Sequence, residues 1–452
     1  MHAQSQALVG QASPGARLDR LPVTRRHVFW IVVLGLGYLV EMFDNVVFAF
    51  LAPTIRAEWG LSIGQVGLVT SAVFIGMTFG AIGGGRLSDR FGRRPVLLWA
   101  SVFYSLTSVM SALAPNFEVL FLSRVLTGIG VQAAAGVIFV YISEMFPTLS
   151  RGRFLAVTIF IGGISNPLTS FAALAIAPSG EGAWRWVFAF GVVGFVVAAV
   201  AAVGLPESVR WLTANGRTEE AERVATKLEA IASSKGELSP VAPEPETVHS
   251  GTYRDLLARP YRRRMLLLGS AFAVFIFGLY GFSSWMPTVL VDRGMEQSEA
   301  LRVASIASFG VVLAPLLLFA VSDKIERKTA VLVAVLAAGA AMIVFGQTSN
   351  ASVLIVAAVV VQTALVAATT SFYTYIPEVF PTHIRGVGAG VVGGVARLGG
   401  VASGVVVAAI YSGLGSAALY LILGLAMFAV GVVVAVFGPR TTGRSLEEIS
   451  KE

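Results

Sequence analysis

Four charged residues sit deep inside stretches that are otherwise almost wholly apolar. Glu41 and Asp44 lie in "GYLVEMFDNVVFAF" (37–50), Arg124 opens "RVLTGIG", and Arg397 is set in "GGVARLGG". A charge buried at membrane depth costs roughly 2.5 kcal/mol or more, so each is a candidate for function rather than packing. Glu41 and Asp44 stand three apart and share one helix face. Two close carboxylates do not comfortably both ionise without a cation. A pair of acids with an arginine to tune them can therefore take up and release a proton. Arg124 is the candidate tuner, and Asp44 is preferred to Glu41 as the carrier. A static acid–arginine pair that fixes helix packing, or direct binding of a cationic substrate, would use the same residues. Arg397 has no acid in its own segment and needs an anion, either a protein carboxylate or a substrate.

The elements that hold these residues are membrane spans. The chain has 452 residues, is 56% hydrophobic and only 13% charged, and has a mean hydropathy of +0.78. A soluble domain carries about 25% charged residues, so the composition indicates an integral membrane protein. No cysteine is present, which excludes disulfides and thiolate chemistry. No metal site is expected. Runs long enough to cross a bilayer fall near 28–54, 63–83, 95–114, 118–143, 153–177 and 184–205. They resume near 264–290, 301–321, 329–347, 352–376, 386–412 and 416–438. With both termini cytoplasmic, 27 of the 33 Lys and Arg fall in the termini and even-numbered loops. That bias sets the orientation. It also accounts for the net charge of +7 without nucleic acid.

The expected organisation is a cytoplasmic tail (1–27), a six-helix half (28–205), a cytoplasmic linker with an amphipathic helix (206–262), a second six-helix half (263–438) and a cytoplasmic tail (439–452). The halves are copies. Pro53 and Pro287, Asp89 and Asp323, Glu144 and Glu378, and Arg151 and Arg385 all lie 234 residues apart in matching contexts. One shared offset across four spans marks a duplication in which both copies keep the same orientation.

"GRLSDRFGRRPVL" (85–97) resembles the signature loop of the major facilitator superfamily, and "RVLTGIG" (124–130) is similar to its fourth-helix motif. "PESVRWL" (206–212) and "GPRTTGRSLEEI" (438–449) resemble elements shared by sugar porters and organic-ion transporters. The chain departs from sugar porters in having Arg440 where they usually have Glu. Its seventh span, "FGLYGFSSWMP", is more similar to the organic-ion and nicotinate-type branch. The resemblance implies an all-α fold of twelve transmembrane helices in two pseudo-symmetric halves around a cavity that opens to alternate sides. It also implies a gating role for the charges at the cytoplasmic helix tips. These are Asp89, Arg90, Arg93, Arg94, Glu144 and Arg151 in the first half, with Gly85 beside them in the signature loop, and Asp323, Arg327, Glu378 and Arg385 in the second. As surface ion pairs they contribute only ~0–1 kcal/mol each, which suits a closure that must reopen. Topology signals and helix caps would use the same residues. The first-helix acids resemble those of several proton symporters for organic acids. "ARLGG" looks like the corresponding stretch of organic-anion carriers.

A cavity for a small acid would use rings and a few hydrogen-bonding groups. Asn45, Gln132, Tyr280, Trp285, Tyr373 and Gln362 lie near mid-span and are the candidates beside Arg397. The expected function is proton-coupled uptake of a small organic anion, such as an aromatic or short-chain carboxylate, by a monomer in the inner membrane. A proton/drug antiporter and a sugar or organic-cation transporter compete with it, as does a membrane sensor that binds without translocating. No catalytic residues, no enzyme activity and no cofactor are expected. Without nucleotide-binding signatures, the energy comes from an ion gradient, and sodium is not excluded.

Overall fold

The computed structural model describes residues 13–233, 238–241, 252–259, 261–321, 325–381 and 383–441. Among these the chain is helical and has no strand. Eleven helices are long and apolar enough to cross a membrane, and the last of them contains two spans. Arg385–Phe437 bends at Gly415, whose backbone (φ 79°, ψ 178°) is not helical and lies where an L side chain would be strained. We number twelve spans. The first six are Arg25–Trp59, Ile63–Phe91, Arg93–Ala112, Phe117–Met145, Thr148–Ser179 and Trp184–Gly204. Spans seven to ten are Tyr261–Ser283, Gln297–Leu318, Arg327–Gln347 and Ala351–Glu378. Spans eleven and twelve lie on either side of Gly415.

Two spans are broken where proline forces it. The fifth runs as Thr148–Gly163 and then Ser165–Ile176, with Pro167 just past the break. The seventh stops at Ser283 and resumes as Met286–Asp292, with Pro287 in the new first turn. In each case proline removes the N–H that would bond four residues back, and its ring crowds that carbonyl. Pro53, in contrast, sits inside a continuous helix. The first span therefore runs past the expected end near residue 54 and stops at Trp59.

The tail was expected only as a polar segment, but Pro14–Asp19 forms a short helix. It packs on the linker helices Val209–Ala214 and Thr218–Ser233. Arg17 binds Glu222 and Glu229, each at 2.5 Å, and Arg20 binds Glu229 at 2.7 Å. The Arg17 guanidinium, helped by Arg20, pulls the Glu229 carboxyl below the usual carboxylate range.

The two halves meet along spans two and eleven and along spans five and eight. Ser71 donates to the Val401 carbonyl at 2.6 Å, and the Ser170 and Ser308 hydroxyls lie 3.2 Å apart. Toward one end Arg56 pairs with Asp292, Tyr411 donates to Asp292 at 3.1 Å, and Gln297 donates to Thr54 at 2.5 Å. We call this the Asp292 end. The opposite end carries Asp89, the tail helix and the linker helices. There the Asp89 side chain is 75% exposed and, among the described residues, pairs only within its own half, with Arg93.

Candidate functional site

The first half encloses its acids completely. Glu41 is 0% exposed and Asp44 1%. Arg124 reaches Asp44 from span four, with Nη1 donating to Oδ1 at 2.8 Å and Nη2 to the Asp44 carbonyl. Its guanidinium also stands over the Phe188 ring, 5.5 Å from the centroid. Both Glu41 carboxyl oxygens and Asp44 Oδ2 have no hydrogen-bond partner among the described residues. The shared face predicted for the two acids thus holds one paired and one unpaired carboxyl. An unpaired charge in such surroundings costs far more than a neutral acid, and Glu41 has nothing to balance it.

A ladder of hydroxyls on span three lies beside these acids, and sequence reasoning missed it. Tyr104, Ser105, Ser108 and Ser111 are all fully buried. Ser105 donates to the Ser101 carbonyl at 2.8 Å, Ser108 to Phe188 at 3.0 Å, and Ser111 meets Ser123 at 2.8 Å. Two glycines of span six leave room for them. A Cβ at Gly191 would lie 2.2 Å from Ser108 Oγ and 3.2 Å from Asp44 Oδ2, and one at Gly194 2.2 Å from Ser105 Oγ. The sequence signal was present as serines at helical spacing facing a G-x-x-G.

Two cavities follow on the side facing the second half. The first, about 260 Å³, is lined by Tyr38, Asn45, Asn166, Ser283 and Gln362, and by Arg124 itself. The Asp44–Arg124 pair therefore borders open space. The second, about 320 Å³, is lined by Met77, Gln132, Tyr373 and Arg397. Phe74 and Tyr280 line both. Their rings, 4.4 Å apart between centroids, form the partition. Arg397 is half-buried and has no hydrogen bond or ion pair among the described residues. The structure thus brings Asn45, Gln132, Tyr280, Tyr373, Gln362 and Arg397 to the cavities. It places Trp285 elsewhere: the ring is fully buried, donates to the Ser403 carbonyl at 3.2 Å, and is held between spans seven and eleven.

The charges at the Asp89 end form a network. Arg93 clasps Glu144 with contacts of 2.8–3.2 Å and Asp89 at 2.8 Å. Ser208 donates to Glu144 at 2.5 Å. Glu207 accepts the Arg93 backbone N–H at 2.9 Å and that of Arg94 at 3.2 Å. Burial pushes the Glu207 carboxyl up, against the pull of those N–H groups. The steric demand for glycine falls at Gly92 rather than Gly85. Gly92 has φ 108°, and a Cβ there would lie 2.2 Å from Glu207 Oε2, whereas Gly85 has nothing within 4 Å. Arg90 stands over Phe91, 5.3 Å from its centroid, and Arg94 donates to the Ala202 carbonyl. Arg151 binds Asp19 of the tail helix at 3.0 Å rather than Glu144. In the second half Arg327 pairs with Glu378 at 3.5 Å. Arg385 begins span eleven and is engaged within the structure. Asp323 lies outside the described residues.

These features define a major facilitator transporter. The family described as "Sugar (and other) transporter" matches residues 34–452, and the chain belongs to it. It is 31% identical to the putative metabolite transport protein YyaJ of Bacillus subtilis (strain 168), over 95% of this chain and 96% of that one. It is 28% identical to the niacin transporter NiaP of Acinetobacter baylyi, over 96% and 99% respectively. A partially occluded inward-open structure of the xylose transporter XylE from E. coli superposes with a TM-score of 0.74 at 20% identity, covering 92% of this chain and 99% of that one. Its relatives are transporters and not enzymes.

Proposed function

We propose that the protein takes up a small organic anion, such as an aromatic or short-chain carboxylate, in symport with protons. The observation that carries this reading is Arg397, a guanidinium with no hydrogen bond or ion pair among the described residues, on the wall of a central cavity. Carboxylate fits its fork with two parallel charge-assisted bonds. Tyr280, Tyr373 and Phe74 supply rings beside it. The relative named for niacin, itself an aromatic carboxylate, supports the same class.

In this reading Arg124 couples the two chemistries, because it holds Asp44 and also lines the first cavity. Protonation of Asp44 removes the charge that Arg124 answers. The freed guanidinium changes the field in the cavity, and Glu41 is a second place for the proton. Alternating access then moves substrate and proton together, driven by the proton gradient without a cofactor and within one monomer. The Asp89 end is assigned to the cytoplasm by its excess of Lys and Arg, in an inner membrane. The Asp292 end is then the closed outer side.

A second reading has its own observation. Asn45, Asn166, Ser283 and Gln362 converge on the first cavity, a set suited to sugar hydroxyls. The test is a binding titration of nicotinate, nicotinamide and xylose against wild type, Arg397→Lys and Arg397→Ala. The organic-anion reading expects nicotinate to bind best, to weaken in Lys, which lacks the fork, and to be lost in Ala. Nicotinamide should bind poorly throughout. Equal loss of acid and amide would make Arg397 a packing residue, and tight xylose binding untouched by Arg397→Ala would favour the sugar.

A further inference from the structure

We infer that a basic pocket at the Asp89 end, between spans one and six and the linker helix, holds the headgroup of an anionic phospholipid. The pocket is about 370 Å³, and four cations line it: Arg26, Arg94, Arg223 and Lys227. They come from three separate elements. Arg26 starts span one, Arg94 starts span three, and Arg223 and Lys227 are one turn apart on Thr218–Ser233. No carboxylate lines the space.

The acids of this region are committed elsewhere. Glu207 accepts the backbone N–H groups of Arg93, Arg94 and Ser208. Glu222 and Glu229 are bound by Arg17 and Arg20. Nearby cations Arg17, Arg20, Arg93 and Arg151 each have a carboxylate partner. The pocket cations have no carboxylate in a hydrogen bond or ion pair among the described residues; Glu220, held by Arg217 at 2.7 Å, attracts Arg223 only at longer range. Arg26 and Lys227 have no hydrogen bond or ion pair among the described residues, while Arg223 and Arg94 donate only to the carbonyls of Glu219 and Ala202. Four like charges brought together without a counter-ion repel one another, so the arrangement calls for an anion.

The surroundings say which kind of anion. Trp30, the aromatic wall of the pocket, donates its indole N–H to the Gly204 carbonyl at 3.1 Å. Val203, also on the wall, is 92% exposed. From there an outward-facing apolar track runs away from the charges, with Val200 and Val196 on span six and Phe29 and Val32 on span one. A soluble anion has no use for such a track. A phospholipid has both halves of the required chemistry, a phosphate for the cations and acyl chains for the groove. Basic pockets between helices at the cytoplasmic interface recognise such headgroups.

The test is native mass spectrometry of the full-length protein with phosphatidylglycerol, phosphatidylcholine or inorganic phosphate added. Three forms are compared: wild type, Arg223→Gln/Lys227→Gln and the charge-preserving Arg223→Lys/Lys227→Arg. Wild type is expected to retain phosphatidylglycerol over phosphatidylcholine by roughly tenfold. The neutral double variant should lose most of that preference and the charge-preserving one should keep it. Millimolar inorganic phosphate should leave the bound lipid in place. Equal retention of the two lipids, or an unchanged preference in the neutral variant, would overturn the proposal. Loss in the charge-preserving variant would assign the effect to packing and overturn it too, and displacement by inorganic phosphate would make the pocket a site for a soluble anion.

Discussion

The two halves are copies at an offset of 234 residues, yet their interiors differ in kind. Where the first half has Glu41, Asp44 and Arg124, the second has Phe275, Gly278 and Ala358. Where the second half has Arg397, the first has Gly163. Phe275 and Ala358 are fully buried in the hydrophobic core. The charges at the helix tips, in contrast, were kept in both copies. Duplication thus preserved the charges at the helix tips. The centre diverged, with acid chemistry enclosed in one half and a cation presented to the cavity by the other. A buried charge is expensive, so each copy keeps only those its task requires.

The largest expected effect breaks the first half's pair. Arg124→Ala leaves Asp44 enclosed without a partner and should destabilise the protein by about 3–5 kcal/mol, the usual cost of stranding a buried charge. Asp44→Asn/Arg124→Gln removes both charges and should recover much of that loss. Thermal unfolding in detergent measures both. A double variant no better than Arg124→Ala would mean the pair is held for its packing alone.

A smaller effect tests the hydroxyl ladder, whose positions in the second half are Ala338, Gly339, Met342 and Phe345. Gly194→Ala drives a methyl onto Ser105 and Tyr104 and should cost about 1–3 kcal/mol, the range for overpacking. Gly85→Ala, with open space around it, should stay within about 0.5 kcal/mol. Matching stabilities for the two would remove the steric argument for span six.

Much of this arrangement was readable from the sequence, because spans and duplication rest on hydropathy and one repeated offset. Those signals are local or periodic. The buried acids stood out for the same reason, as exceptions to an apolar run. Which acid meets Arg124 was not readable. Glu41 and Asp44 share a face, and only the rotation of span one against span four decides between them. Trp285 was misplaced because depth in a span says nothing about which way a ring points. The partner of Arg151 was hidden in the tail helix, where a six-residue element with proline and glycine gives no periodic signal.

The smallest effect lies outside the spans. Glu229→Gln removes the Arg17–Glu229 and Arg20–Glu229 pairs but leaves Arg17–Glu222 and Arg210–Asp19 to tie the tail helix to the linker, and ion pairs near the surface are worth about 1 kcal/mol. Because Arg17 and Arg20 hold the Glu229 carboxyl low in the folded state, its contribution is present above the ordinary value near 4.3 and fades as pH falls through the lowered one. Wild type and variant should therefore differ at neutral pH and converge in acid, which unfolding curves across pH will show. A difference that grew toward acid would contradict the pairing.

The claim that the first half carries the proton is tested most directly by transport in proteoliposomes, using the acid that binds tightest in the Arg397 titration. Asp44→Asn should abolish accumulation driven by an inward proton gradient. Counterflow exchange, which needs no net proton movement, should survive. Undiminished gradient-driven accumulation in both Asp44→Asn and Glu41→Gln would place the coupling outside the enclosed acids and contradict the account.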